Sequence, residues 1–386
     1  MGRRIQIDEI RVKDLVAFAA DAARRKPSES LIPISASRAF AWSHNPQAKP
    51  DDVGLFVAYY DSKCVGHLGV VPSQVKLGST VEGVSWLSIF YVDPEYRSLG
   101  IGAMLLLKAA AMKTSLAANG AGGDAHPIYT ALKFHQLPAL PFCNLDFSRI
   151  NVFASVRRGV DRVMRASKFR SDTSGDFPNL FQDGIKRIVY PTLIQTVGGD
   201  RSSPNATRGS HVPDGYWQGI LDRERPYRFC RDDRVVNWML EQPWTTCVPN
   251  DQNARFHFND YRRQFDHRLY NIHSTTQSDN GGFVVLWLAD RNGHRDIRVL
   301  DWHLTPPMDV RTLVHFALMK AKEFNADSIY LPSCCAPILQ SSPVANALYQ
   351  NMQRPYFIRP YPAGGLFESS LNKLALDYCD GDTPFA

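Results

Sequence analysis

The segment from Tyr91 to Ala103, Tyr-Val-Asp-Pro-Glu-Tyr-Arg-Ser-Leu-Gly-Ile-Gly-Ala, has the residue types and spacing to hold a phosphate. Gly100 and Gly102 stand at the start of an apolar run that reads as a helix, with Arg97 just ahead of them. Glycines at a helix entrance let the backbone come close to a ligand, and the first amides of a helix have no acceptor of their own. Those outward donors, with the positive end of the helix dipole, attract an anion. The spacing excludes a nucleotide P-loop, because no Lys-Ser or Lys-Thr follows the glycines. It also excludes a dinucleotide fingerprint, whose third glycine would fall at Leu105. Another phosphate ligand, or a glycine-rich turn with no ligand, stays open from spacing alone.

The pattern Val92-x-Pro94-x-x-Arg97-x-x-Gly100-x-Gly102 resembles the pyrophosphate loop of the GNAT superfamily of acetyl-CoA-dependent N-acetyltransferases. That resemblance implies an α/β (α+β) fold with a mixed, mostly antiparallel sheet flanked by helices, and places the loop between strand four and helix three. It implies acetyl-CoA as co-substrate and an amine of a small molecule or sugar as acceptor. Backbone groups of Tyr91 and Val92 would bond the pantetheine arm. Arg97 and the amides of Ser98, Leu99, Gly100, Ile101, Gly102 and Ala103 would hold the pyrophosphate. Ala125–Phe134 is similar to the family's Ala-x-x-Leu-Tyr-x-x-x-Gly-Phe segment, which puts Tyr129 where a tyrosine often protonates the departing thiolate. A phenol, with an ordinary pKa near ~10, keeps its proton until that thiolate forms. Two departures stand out: Gly122 replaces a common Asn, and Lys133 replaces the Gly before Phe134. Glu82, early on strand four, lies where the family sometimes places a general base, and Asp93 and Glu95 flank the loop. The bland alternatives are a packed helix tyrosine for Tyr129, solvated charges for the three carboxylates, and a structural role for His67.

Elements able to position this loop follow from the pattern around it. Arg4–Ile10 reads as a strand, Val12–Arg25 as a helix, and Ala36–Lys49 as a mixed segment. Gly54–Tyr60, Cys64–Leu77 and Thr80–Val92 read as three strands joined by the turns Asp61-Ser-Lys and Leu77-Gly-Ser. The apolar run Ala103–Ala118 reads as helix three, and Gly120–Gly123 as a poor fifth strand, since glycine packs nothing. Pro138–Pro141 should break the chain before a strand at Phe142–Ile150, and Ile188–Ile194 reads as a further strand. Arg149–Arg170 is a basic amphipathic helix, either a solvated face or a surface for a polyanion. The expected division is a front domain over residues 1–198 (core 1–150), a linker over 199–211, and a second domain over 212–386.

In the second half, Gly282–Asp290 and Arg295–Leu304 form a hairpin about Asn292-Gly293, followed by a helix Val310–Phe324, a strand Ser328–Leu331 and a helix Ser342–Met352. This order mirrors Cys64–Phe134, yet its turn, Leu304-Thr-Pro-Pro-Met-Asp309, has two prolines and no glycine. Proline lacks the N–H donor, so this turn cannot cradle a phosphate. The half is thus either a degenerate GNAT-like copy or an unrelated α+β domain.

Composition fits this reading. At 386 residues, 44% apolar and 21% charged, the chain has ample material for two globular cores. No run approaches the ~20 apolar residues of a membrane span. The seven cysteines show no Cys-x-x-Cys pair, and the histidines form no ligand spacing, so neither a disulfide framework nor a metal is expected. A cytoplasmic location, a small-molecule amine partner, and no nucleic acid are the corresponding expectations at a net charge of only +6. Two rival functions stay open: a non-catalytic acyl-CoA-binding module, and a transferase of a longer acyl or aminoacyl group.

Overall fold

The computed structural model describes residues 5–24, 31–120, 125–147, 177–198, 205–212, 226–242, 244, 256, 258, 264–273, 281–305 and 308–381. These fall into two compact units. One is drawn from Met1–Leu140, Ser210–His267 and Gln353–Ala386, the other from Pro141–Gly209 and Arg268–Met352. The passage at Gly209–Ser210 lies inside the expected linker, but each unit also takes chain from elsewhere, so neither is one contiguous stretch. Among the described residues no helix is long and apolar enough to cross a membrane.

The first unit is built on the strands β1 (Ile5–Arg11), β2 (Val53–Tyr60), β3 (Lys63–Leu77), β4 (Thr80–Val92) and β5 (Ser115–Asn119). β1 to β4 pair antiparallel in chain order, and β5 joins β4 in parallel. Asp61 and Ser62 both take positive φ, which is the hairpin turn whose twist matches its strands. Helices α1 (Leu15–Arg24), α2 (Ala36–Ser43), α3 (Ile101–Ala110) and the short α4 (His126–Ala131) belong to the same unit. Ile101, Leu105, Leu106 and Ala109 form the buried face of α3, and they share one core with Phe56, Leu68, Leu87 and Phe357.

Two expectations here need correction. The apolar run Ala103–Ala118 is not one helix: α3 stops at Ala110, Lys113 turns left-handed with φ 57°, and Ser115–Asn119 is β5. Ser115–Ala118 is buried without alternation, as a parallel strand covered on both faces must be, so its pattern could not be told from helix. Strand five therefore precedes the glycine run, and of that run only Gly120 is described.

The strand β6 (His135–Asp146) contains Pro138 and Pro141 rather than starting after them. The basic stretch Arg149–Arg170 lies outside the described residues. Ile188–Ile194 is not a strand but part of helix α5 (Phe177–Gly198). Tyr190, Leu193 and Val197 are its buried positions, and that helical spacing outweighs the β-branched composition.

The remaining elements are β7 (Asn205–Gly209), β8 (Tyr227–Phe229), α6 (Asp233–Glu241), β9 (Gln264–His273), β10 (Gly281–Arg291) and β11 (His294–His303). They are followed by α7 (Val310–Phe324), β12 (Ser328–Pro332), α8 (Ala336–Ser341), α9 (Pro343–Leu348), β13 (Tyr349–Arg359) and α10 (Leu366–Ser370). The hairpin β10–β11 turns at Asn292 and Gly293, with φ 55° and 88° as expected. α7 is closed at its start by a capping box between Asp309 and Thr312. β12 pairs parallel to β11. The expected helix Ser342–Met352 ends at Leu348, where β13 begins.

Each parallel pair is completed by a strand from a remote part of the chain. In the first unit β13 pairs antiparallel with β5, setting Phe357 against Ala118. In the second, Phe142–Asp146 of β6 pairs antiparallel with β12. β8 also crosses the expected domain boundary and pairs with Val75–Leu77 of β3.

Candidate functional site

β4 and β5 pair only over Val84–Leu87 and Ser115–Ala118; beyond Leu87, β4 keeps its partner β3 and leaves β5. The separation coincides with a bulge. Gly69 faces Ser88 and His67 faces Tyr91, so β4 holds one residue more than β3 between those pairs. Ile89, inside the bulge, has φ 44°, a conformation that disfavours a β-branched side chain. His67 is fully buried, and its Nδ1 lies 2.8 Å from the Ile89 carbonyl oxygen. The carbonyl accepts, so this nitrogen carries the hydrogen and helps fix the bulge. Gly69 is obligatory opposite it, because a Cβ there would stand 2.5 Å from the Trp42 ring and 2.8 Å from Ile89 Cγ1.

The loop after β4 is a tight structure. Asp93 caps a 3-10 helix over Pro94–Leu99, its side chain accepting from the Glu95 amide at 3.1 Å. Arg97 Nε donates to the Val92 carbonyl at 3.2 Å, tying the loop to the strand end. Gly100 takes φ 73° and donates its amide to the Arg97 carbonyl at 3.2 Å. The Gly100 carbonyl then accepts the first α-helical bond, from Met104 at 3.1 Å. Ile101, Gly102 and Ala103 are thereby the opening positions of α3, whose amides have no acceptor within the helix. A Cβ on Gly100 would meet no atom within 4 Å, so the space beside this turn is open. A Cβ on Gly102 would come within 3.2 Å of the Phe90 ring, so that glycine lets the helix sit close on β4.

One cavity of about 670 Å³ gathers these parts. Its wall includes residues 87–92 of β4, then Arg97, Gly100, Gly102 and Ala103, then Asn119 and Gly120 at the end of β5. Ala125, Ile128 and Tyr129 add a wall from α4, and Phe258 contributes from a distant stretch of chain. Tyr129 is buried, with its ring centroid 4.8 Å from Phe134 and 5.2 Å from Phe357. Lys133, just past α4, takes φ 60°, a backbone suited to glycine. The Tyr91 phenol is pushed above its ordinary pKa, mainly by burial, with Asp93 adding to the effect and Arg97 opposing it.

Residues 18–121 match the family model described as Acetyltransferase (GNAT) family. This stretch is a GNAT domain. Among solved structures, the chain is similar to a GCN5-related N-acetyltransferase from Anabaena variabilis at 9% identity, over 92% of this chain and 72% of that one, with a TM-score of 0.49. It is also similar to a GCN5-related N-acetyltransferase from Kribbella flavida, at 12% identity over 93% and 71%, with a TM-score of 0.43. N-myristoyltransferase of Saccharomyces cerevisiae with bound myristoyl-CoA aligns at 9% identity over 93% and 81%, with a TM-score of 0.48. No curated protein sequence matches the chain.

In the first unit, Tyr91, Val92, Arg97, Gly100, Gly102 and Ala103 of the matched stretch share one cavity wall with Tyr129, which lies beyond it. Ser98 and Leu99 are exposed members of the 3-10 turn outside that wall, and the Ile101 side chain is buried in the core, leaving only its amide to face a ligand. Glu82 is not in the wall either: it faces Val75 on β3, well before β4 reaches the cavity. Leu87 is five steps further along the strand, about 16 Å at the usual rise. Sequence reasoning missed Asn119, which lies between the supposed helix and the glycine run and ends a strand that was read as helix, and Ile128. It also missed Phe258, whose surroundings in the sequence give no signal. The first unit thus offers helix-start amides for an anion, a strand edge freed from its neighbour, and a phenol in the same cavity.

Proposed function

We propose that this protein transfers an acetyl group from acetyl-CoA directly to an amine of a small molecule or sugar. The observation that carries the reading is the convergence of the α3 amides, the separated end of β4 and Tyr129 on one cavity. In this reading the amides of Ile101, Gly102 and Ala103 hold the pyrophosphate, with the helix dipole behind them. Arg97 adds positive charge and, through its bond to Val92, keeps the loop against the strand. The β4 edge from Ser88 to Val92 takes the pantetheine arm. Tyr129 gives its proton to the departing thiolate, a step suited to a phenol that is neutral until the thiolate appears. The acceptor attacks the thioester carbonyl as a neutral amine, the carbon–sulfur bond breaks, and the proton that the amine nitrogen loses passes to water and so restores the Tyr129 phenol; Glu82 lies outside the cavity wall.

The second unit has the order hairpin β10–β11, helix α7, parallel strand β12, the same as β3–β4, α3, β5. We read it as a degenerate copy without a cofactor loop, because the sequence joining β11 to α7 has no glycine and carries two prolines, which have no amide N–H to donate. The test of function is incubation with acetyl-CoA and a panel of amines, following free thiol release and product mass. An acetylated amine formed at a rate proportional to enzyme supports transfer. Binding of acetyl-CoA with no product from any amine supports a binding module, and turnover only with longer acyl-CoAs supports a different acyl group.

A further inference from the structure

Asn119 ends β5 and forms part of the cavity wall. Its Nδ2 donates to the backbone carbonyl of Asp380 at 2.9 Å, so a segment more than 250 residues away in sequence holds the tip of this strand. That segment is locked. The Asp380 side chain is only 2% exposed, and its Oδ1 accepts from Arg231 Nη1 at 2.6 Å. Its Oδ2 accepts the Asp377 amide at 2.7 Å, and Arg231 Nη2 reaches the Asp377 carboxylate at 3.0 Å. From β13, next to β5, the Tyr356 hydroxyl donates to the Asp377 carbonyl at 3.1 Å; burial pushes its pKa up and keeps it a donor. Gly381 has φ 81°, and a Cβ there would stand 2.5 Å from Asn119 Nδ2 and 3.0 Å from the Trp86 ring.

A buried ion pair is a poor source of stability, because desolvating both charges offsets most of their attraction. It does fix one geometry, and here that geometry ends on a cavity residue. We propose that the turn Asp377–Gly381, locked by Arg231, is a positioning element of the acyl-CoA cavity. It sets where Asn119 stands, and with it the width of the gap between the ends of β4 and β5. Arg231 and Asp380 are positioning residues acting through Asn119. The proposal rests on the acetyl-CoA reading above.

The experiment is a double-mutant cycle on acetyl-CoA affinity and kinetics in the full chain, with Asp380→Asn, Asn119→Ala and both together. Each single variant is expected to raise Kd and KM for acetyl-CoA about tenfold with kcat nearly unchanged, and the double variant to be no worse than either single one. A general loss of structure would instead lower kcat and the melting temperature together without such coupling. Gly381→Ala provides a second route if Asp380→Asn does not fold, since it crowds Asn119 and leaves the ion pair in place. The same tenfold rise is expected from it. Unchanged acetyl-CoA affinity in a folded Asp380 or Gly381 variant, or additive losses in the cycle, would overturn the clamp. A wild-type protein that binds no CoA species would overturn the underlying acetyl-CoA reading as well.

Discussion

Ile89 and Lys133 both hold backbone conformations that ordinarily belong to glycine; Ile89 lines the cavity, and Lys133 follows α4, whose Ile128 and Tyr129 line it. At Ile89 the strain has a structural return: the bulge separates β4 from β5, and His67 bonds the Ile89 carbonyl. At Lys133 it closes α4, where the Lys133 amide donates to the Thr130 carbonyl and the Phe134 amide to the Tyr129 carbonyl, each at 3.0 Å, a turn that glycine makes without strain. The left-handed conformation costs a non-glycine residue about 1–2 kcal/mol. Lys133→Gly is therefore expected to raise unfolding free energy by about 1 kcal/mol, after glycine's greater chain entropy is subtracted. Denaturant unfolding checks this, with acetyl-CoA affinity expected to stay the same. Tyr129→Phe belongs to the same scale. Removing only a hydroxyl from a buried ring keeps the packing on Phe134 and Phe357. Steady-state kinetics should show kcat lower by about 10²-fold or more, as for loss of a positioned acid, while the Kd for acetyl-CoA is unchanged. An unaltered kcat would remove Tyr129 from the reaction.

At the scale of elements, the loop between β4 and α3 was legible because its chemistry is local. A positive-φ glycine, a helix start and a capped 3-10 turn are all written within ten consecutive residues, Asp93–Gly102. What surrounds it was less legible, for physical reasons. Ser115–Asn119 reads as helix because a strand buried on both faces shows no alternation. Tyr190, Leu193 and Val197 sit in a β-rich composition, yet their spacing and burial are helical. Phe258 reaches the cavity only through tertiary folding. The loop also carries its own test. Gly100→Val places a β-branched residue at φ 73° and fills the open space beside this turn. Acetyl-CoA binding by calorimetry is expected to weaken at least tenfold, about 1.4 kcal/mol, and the ligand-free protein to lose about 1–2 kcal/mol of stability to the left-handed valine while staying folded. Arg97→Ala should weaken it less, since the backbone donors stay in place.

For the whole molecule, the order of elements in each half was readable, but their allocation to units was not. Strand partners chosen across long stretches of chain leave no local mark. The first unit takes β8 and α6 from beyond residue 198, and β13, the partner of β5, from near the other end of the chain. Residues 1–198 expressed alone should consequently fail to give a cooperative unfolding transition or to bind acetyl-CoA. Circular dichroism and ligand titration of that fragment check this. A stable, binding-competent fragment would show that β13 and the Asp377–Gly381 turn are dispensable.

The central claim, that the cavity between β4, α3, β5 and α4 holds acetyl-CoA, is tested most directly by thermal unfolding of the full chain with increasing acetyl-CoA. A ligand that binds only the folded state adds about 2.7 kcal/mol at a hundredfold excess over Kd. The account predicts a melting temperature that climbs steadily with acetyl-CoA concentration in the wild type, and in Gly100→Val a climb that begins only at about tenfold higher concentration or beyond. A wild-type melting temperature unmoved by acetyl-CoA, longer acyl-CoAs and free CoA would contradict it.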